Sequence, residues 1–401
     1  MPSPAAASWP AAPWKRSSTR ARHPRKKNAP QRRCPCGTDR QSKGQAQRAV
    51  LTAAGLVTAR RRYLVCPACG SGAHPRDAWW GLDGFLSGHA RRLACLAAAS
   101  WSFDRASALL EEFCGLRVSD TAIRAAAVAA GSEVRAWQRA SPAPAAAFAA
   151  AAGDVAFSTD GTHVNTLGGW REMRLAIFAK RPAGGPAEPW QWDERSLPPP
   201  SVRVLFGGVW TAERFGPQWR AWAGRLGVRQ TAEVTVLADG AKWIWAQAER
   251  NFPGAAGVLD IYHAGTHLYD AAQALYGEGA AEGPAWAEAR RRTLLSGGAA
   301  ALDAELAAQQ GRTRSARKRR AVQDLRDFLA PHERHTGYAG RLRRGRSIGS
   351  GMVEGACKTV VGRRLKQTGA RWRVRHAESV VALCGLLYGD LWDAYWAGGR
   401  N

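Results

Sequence analysis

Hydrophobic positions along the chain follow three rhythms. Between 85 and 140 apolar residues return at helical spacing in RRLACLAAAS, SFDRASALLEEFCGL and SDTAIRAAAVAAGSEVRAW. Ser102 and Ser119 stand where N-caps belong, and Gly115 where a helix stops. Three short helices with a tight turn before the third predict a helix-turn-helix region over 85–140, with a plain helical bundle as the alternative. SPAPAAAFAAAAG, 141–153, reads as a linker. From 154 short apolar runs alternate with amphipathic ones, which predicts an α/β fold. DVAFSTDG reads as a strand ending at Asp160, WREMRLAIFAK as a second after a Gly-Gly turn, and SVRVLFGGVW as a third. AERFGPQWRAWAGRLG predicts a helix, AEVTVLADGA a buried strand ending at Asp239, and AKWIWAQAERNF the next helix. GVLDIYHAGTHLYDAAQAL predicts a strand running into a helix. Residues 280–330 read as Arg-rich helix without a strand, and AESVVALCGLLYGDLWDAYW as an apolar helix.

Charge narrows the partner. The 401 residues are 45% hydrophobic, enough for a core and more than one domain. They carry 58 Lys and Arg against 32 Asp and Glu, a net charge of +26. Such an imbalance repels itself in a compact state and calls for a polyanion, nucleic acid first. No apolar run of about 18 residues is present to span a bilayer, so no membrane partner is expected. The opening MPSPAAASWPAAPWKRSSTR has its bases after its apolar residues, the wrong order for a secretory signal. A cytoplasmic, nucleoid-associated protein with reduced cysteines follows as the expectation. Residues 1–33 are rich in Pro and Ala, then basic and free of acids, and read as a disordered arm.

Cys34 and Cys36 form a C-x-C knuckle and Cys66 and Cys69 a C-x-x-C knuckle, each followed by glycine. Four thiolates on two tight turns suit a closed tetrahedral structural Zn²⁺ site, and β-prone ARRRYLVC before the second knuckle fits a zinc ribbon over 34–84. A redox pair is the alternative for C-x-x-C. Cys95, Cys114, Cys357 and Cys384 sit among apolar residues and read as core thiols.

Asp160 and Asp239 share a context: each follows a short apolar run and precedes glycine. Alone, either reads as a turn aspartate. Together with Glu354, which opens a helical run studded with Lys and Arg, they change meaning. Three carboxylates from separate elements can hold two Mg²⁺ or Mn²⁺ ions about 4 Å apart for phosphodiester cleavage.

STDGTHVN, LADGAKWIW, VLDIYHAGTHLYD and IGSGMVEGACKTVVGRRLKQTGARW together resemble the DDE transposases of bacterial insertion sequences, most closely the ISKra family. The resemblance covers about 150–390, and the zinc ribbon and helix-turn-helix are similar to that family's DNA-binding region. It implies an RNase H-like core (154–279 and 331–401) interrupted by a helical insertion (280–330), with Asp160, Asp239 and Glu354 as the metal-binding acidic triad. Asp260 and His263 match a D-x-x-H pattern whose histidine is expected beside the catalytic carboxylates; a hydrogen-bonded core histidine is the other reading. The implied activity is cleavage and strand transfer on double-stranded DNA, at terminal inverted repeats and at a target, by a homodimer or higher oligomer. A DNA-binding protein without catalysis and an RNase H-like nuclease are the alternatives.

At helical spacing Glu354, Lys358, Val361 and Leu365 share a stripe, so Lys358 either meets phosphate or pairs with Glu354. Arg363, Arg364 and Lys366 face other ways and suit the DNA backbone. Ser350 and Gly351 read as a helix start whose N–H groups favour an anion. Arg371 and Trp372 are expected at DNA too, the indole stacking on a flipped or terminal base, with packing, the role expected of most of the 18 Trp, as the alternative.

Overall fold

The structure, a computed structural model, describes residues 32–77, 82 and 84–398. The predicted basic arm therefore lies outside the described residues except for Arg32 and Arg33. The chain divides into two compact units, Met1–Ala49 with Thr58–Trp80, and Val50–Val57 with Gly81–Asn401.

Strands β1 (Gln41–Thr52), β2 (Gly55–Val65) and β3 (Gly72–Ala73) form a three-stranded sheet in that order. In the first unit the buried side chains among the described residues are only Cys34, Arg61, Leu64 and Cys66. So few buried groups cannot hold a fold by apolar burial alone.

The second unit starts with three helices, α1 (Gly88–Ser100), α2 (Phe103–Cys114) and α3 (Asp120–Ala140). Ser87, Ser102 and Ser119 cap them by accepting from Ala90, Arg105 and Ala122 N–H groups. The predicted linker contains instead a helix, α4 (Ala143–Ala150). Its alanines favour helix, and Pro142 and Pro144 are tolerated in a first turn that has no N–H partners to lose.

The sheet of this unit has five strands: β4 (Asp154–Thr166), β5 (Gly169–Arg181), β6 (Val202–Gly208), β7 (Thr235–Ala238) and β8 (Ala256–Leu259). Their order is β6-β5-β4-β7-β8. The first three run antiparallel; β7 lies parallel to β4, and β8 parallel to β7. The fold class is thus α/β with a mixed sheet. Helices α5 (Ala212–Arg225) and α6 (Lys242–Asn251) connect β6 to β7 and β7 to β8. Phe157 and Phe178 pack with Trp219 and Phe252 in one aromatic layer, ring centroids 4.8–6.1 Å apart.

Helix α7 (Ile261–Tyr276) leaves β8, and α8 (Glu282–Arg312) and α9 (Ala316–Leu329) fill the predicted helical segment. These three share a second core with Leu268, Leu294, Leu302 and Leu325. After α10 (Tyr338–Arg343) come α11 (Gly351–Ala356), a π-helical turn at Cys357–Arg363, α12 (Val374–Tyr388) and α13 (Trp392–Gly398). Gly131 of α3 meets α12 so closely that a Cβ there would lie 2.0 Å from the Ser379 carbonyl oxygen. The α1–α3 bundle is therefore continuous with the core of the sheet.

Candidate active site and cysteine centre

In the first unit, Cys34 Sγ lies 3.4 Å from Cys69 Sγ, and Cys36 Sγ 3.5 Å from Cys66 Sγ. All four sulfurs fall within 4.8 Å of one another. Tetrahedral zinc with bonds near 2.3 Å needs sulfurs about 3.8 Å apart, so the four cysteines can hold a structural metal such as zinc. The Ser71 hydroxyl, 3.1 Å from Cys34 Sγ, pulls that thiol down to about 6, whereas burial and the neighbouring thiols push Cys66 up to about 11, so a bound metal would have to displace the Cys66 proton.

In the second unit, Asp160 and Asp239 meet through strand register. Ser158 pairs with Leu237 in the parallel β4–β7 ladder, so two residues further on Asp160 of β4 stands beside Asp239, the residue just past the end of β7. Contrary to the sequence reading, β4 does not end at Asp160 but runs on to Thr166, with Asp160 opposite Leu175 of β5. Asp160 accepts from the Gly161 N–H at 2.6 Å, and Asp239 accepts from the Ala241 N–H at 3.0 Å. Glu354, in the first turn of α11, comes from the helix packed over β4. Cys357, one turn later, is buried close enough to Asp160 that the carboxylate adds to the rise burial causes in its thiol pKa.

Burial raises the Asp160 pKa above the ordinary carboxylate value, and the charges of Asp239 and Glu354 add to the rise. The three acids are therefore electrostatic neighbours. Among the described residues only the four cysteines bring ligand atoms within 4.8 Å of one another, so the carboxylate oxygens are more widely spread.

Asp260 was read from sequence only as part of a motif, yet it is 1% exposed and joins the elements of the site. It caps α7 by accepting from the His263 N–H at 2.8 Å and accepts both the N–H and the hydroxyl of Ser350, the latter at 2.7 Å. Ser350 Oγ also lies 3.2 Å from Glu354 Oε1. The N–H expected to attract an external anion is thus occupied by Asp260. His263 packs its ring against His267 and Phe328, centroids 5.0 and 5.9 Å away. His332 is a further histidine within reach of the Asp239 charge, and its pKa is lowered, first by burial. The segment APHERH offered a signal for it, two histidines at i and i+3.

Two residues assigned to DNA are core groups. Arg364 is 2% exposed, donates from Nε to the Ala98 carbonyl, and lies over Phe103 and Trp372 at 4.5 and 5.4 Å. Trp372 is 9% exposed and donates its indole N–H to the Leu365 carbonyl at 3.0 Å, while its backbone bonds Asn165 and Leu167. An enclosed ring with its one donor satisfied has no face for a base. Arg363, Lys366 and Arg371 are exposed as expected, and Lys366 donates to Thr162 Oγ1, two residues past Asp160 on the same face of β4. Lys358 pairs with Glu354 at 3.7 Å.

No family model matches the chain, and no curated protein matches it. Among the described residues no helix is long and apolar enough to cross a membrane.

Proposed function

We propose that the chain is a DNA transposase that cuts and joins DNA at Asp160, Asp239 and Glu354, on an RNase H-like core. The carrying observation is the β4–β7 register that sets Asp160 beside Asp239, with Glu354 near enough to raise the Asp160 pKa. In order of appearance the strands stack 3-2-1-4-5, three antiparallel and two parallel, which supports the RNase H-like assignment.

The residues fit divalent cations. Three like charges, one of them half-buried, repel unless a cation joins them, and carboxylate oxygens are hard donors suited to Mg²⁺ or Mn²⁺. Two ions about 4 Å apart, each about 2 Å from its oxygens, span up to about 8 Å, so a two-ion site accepts acids spread more widely than a single ion would. Bound there, the ions would neutralise charge at phosphorus and activate the attacking oxygen. The chain's own residues orient the acids: the Gly161 N–H holds Asp160, the Ala241 N–H holds Asp239, and the Ser350 hydroxyl, given mainly to Asp260, stands 3.2 Å from Glu354. Exposed Arg363, Lys366 and Arg371 supply cations for the phosphate backbone on the Glu354 side. The cysteine centre, loaded with zinc, would present the Arg-rich β2 strand to double-stranded DNA.

Asp239→Asn is the test. It removes a charge while keeping an acceptor for the Ala241 N–H, so metal-dependent nicking of terminal-repeat DNA should be lost and DNA affinity largely kept. Equal cutting by wild type and variant refutes the site. Cutting without joining of labelled ends to a target plasmid would make the protein a nuclease, and binding without any cutting would leave a DNA-binding protein.

A further inference from the structure

Arginines gather where the loop after β5 meets the segment leading to Glu354. The two stretches are tied by backbone bonds, Gly184 N–H to the Gly345 carbonyl at 3.0 Å and Ala187 N–H to the Leu342 carbonyl at 3.1 Å. Arg195 donates to the Arg346 carbonyl at 2.7 Å, and Arg341 to the next carbonyl, Ser347, at 2.8 Å. Successive carbonyls of one loop thus each anchor a half-buried guanidinium, and Arg344 stands exposed beside them. None of the three pairs with a carboxylate among the described residues. Acids are present nearby, but they go to the flanking arginines, Glu188 to Arg343 and Asp154 to Arg346. A guanidinium has five N–H donors, and one carbonyl satisfies one of them.

Unpaired charge partly removed from water is costly, and costlier with like charges adjacent. Burial and the neighbouring charges of Arg344 and Arg195 push Arg341 down to about 10. An anion with several acceptor oxygens answers both problems, and forked guanidinium groups match phosphate. The place is informative too. Arg341 holds the Ser347 carbonyl, and three residues on, Ser350 contacts Asp260 and Glu354. Tyr262, 61% exposed, flanks the same loop: a Cβ at Gly349 would lie 3.1 Å from its ring.

We propose that Arg195, Arg341 and Arg344 form a phosphate pocket that seats a backbone phosphodiester of double-stranded DNA beside the carboxylate site. This deepens the DNA-processing reading and rests on it only for the identity of the polyanion. The loop Ser347–Ser350 then senses DNA on one side and positions Glu354 on the other.

The test measures full-length protein binding a 30-base-pair duplex by fluorescence anisotropy from about 50 to 200 mM salt. Arg195→Gln, Arg341→Gln and Arg344→Gln should each flatten the slope of log affinity against log salt by about 0.9. Because Arg344 is exposed, its variant keeps the test valid if Arg341→Gln fails to fold. A second arm follows the melting temperature with added inorganic phosphate. Unchanged slopes overturn the proposal. If the slopes stay put while the variants lose a phosphate-dependent melting shift, the pocket serves a free phosphate and the DNA assignment is likewise overturned. Flattened slopes in a protein that never cuts DNA would sink the transposase reading and keep the pocket.

Discussion

Replacing Arg364 by alanine tests a structural role against a DNA role. Its guanidinium donates to the Ala98 carbonyl at the end of α1 and lies over Phe103 of α2 and over Trp372. A hydrogen bond from a charged donor contributes about 1.5–3 kcal/mol. Each desolvated cation–π contact adds about 0.5–2 kcal/mol. Against these stands the desolvation that lowers the Arg364 pKa, a cost the alanine variant no longer carries. The net expected loss is about 3–5 kcal/mol, the range seen when one partner of a buried charged contact is removed. Arg364→Met keeps the apolar stem and leaves mainly the Ala98 carbonyl unpaired, so it should cost about 1–3 kcal/mol. Urea unfolding of the full chain, followed by tryptophan fluorescence, reads the difference as a shift in midpoint. The duplex salt slope, measured under folded conditions, should not change in either variant. If alanine shifts stability by less than about 0.5 kcal/mol and flattens the salt slope by about one contact, Arg364 meets phosphate and the packing argument is wrong.

Three further outcomes follow. Purified protein should carry one zinc per chain, and a chelator, or Cys66→Ser with Cys69→Ser, should unfold the first unit, because its described residues bury so little else. Metal analysis with circular dichroism checks this, and an intact metal-free unit would contradict it. His335, 7% exposed and stacked on Trp245 at 4.0 Å, has its pKa pushed down to about 4 by burial, then by His332 and Arg334. A depressed histidine means the unfolded chain takes the proton first, so stability is full above about pH 6.5 and falls as pH drops towards 4, by about 3 kcal/mol. His335→Phe should flatten urea midpoints compared between pH 7 and 4.5, and an unaltered pH slope would refute it. Ser350→Ala should raise the Mg²⁺ concentration needed for cleavage, with Ser350→Thr restoring it; equal Mg²⁺ dependence in all three proteins would show that Ser350 does not position Glu354.

Much of this was legible in the sequence. The paired cysteine knuckles announced their cluster because ligand spacing is local. The strands around Asp160 and Asp239 were visible because buried strands are short apolar runs. Asp160 was misplaced at a strand end because Asp-Gly usually marks a turn. In the fold Gly161 continues β4, paired with Arg174 of β5, with no turn there. What stayed hidden depends on tertiary partners. Nothing in RRLACLAAAS or SFDRASALLEEFCGL tells an arginine at 364 that the Ala98 carbonyl and the Phe103 ring await it.

The π-helical turn at Cys357–Arg363 explains why helical arithmetic failed beyond Glu354. A π turn carries one extra residue, which rotates everything after it by about 100°, one residue's worth of α-helix. Lys358, before most of that rotation, keeps its expected place one turn from Glu354. Arg364, after it, swings from the predicted outer face into the core, and Lys366 is brought over Thr162 on β4. The same turn buries Cys357 within reach of the Asp160 charge. Irregular helix here thus serves two ends: it buries a thiol beside one acid while another, Glu354, stays in the last regular turn. Straightening the turn by deleting one residue within Thr359–Gly362 would release both, which is why this segment, and not only its charges, carries the site.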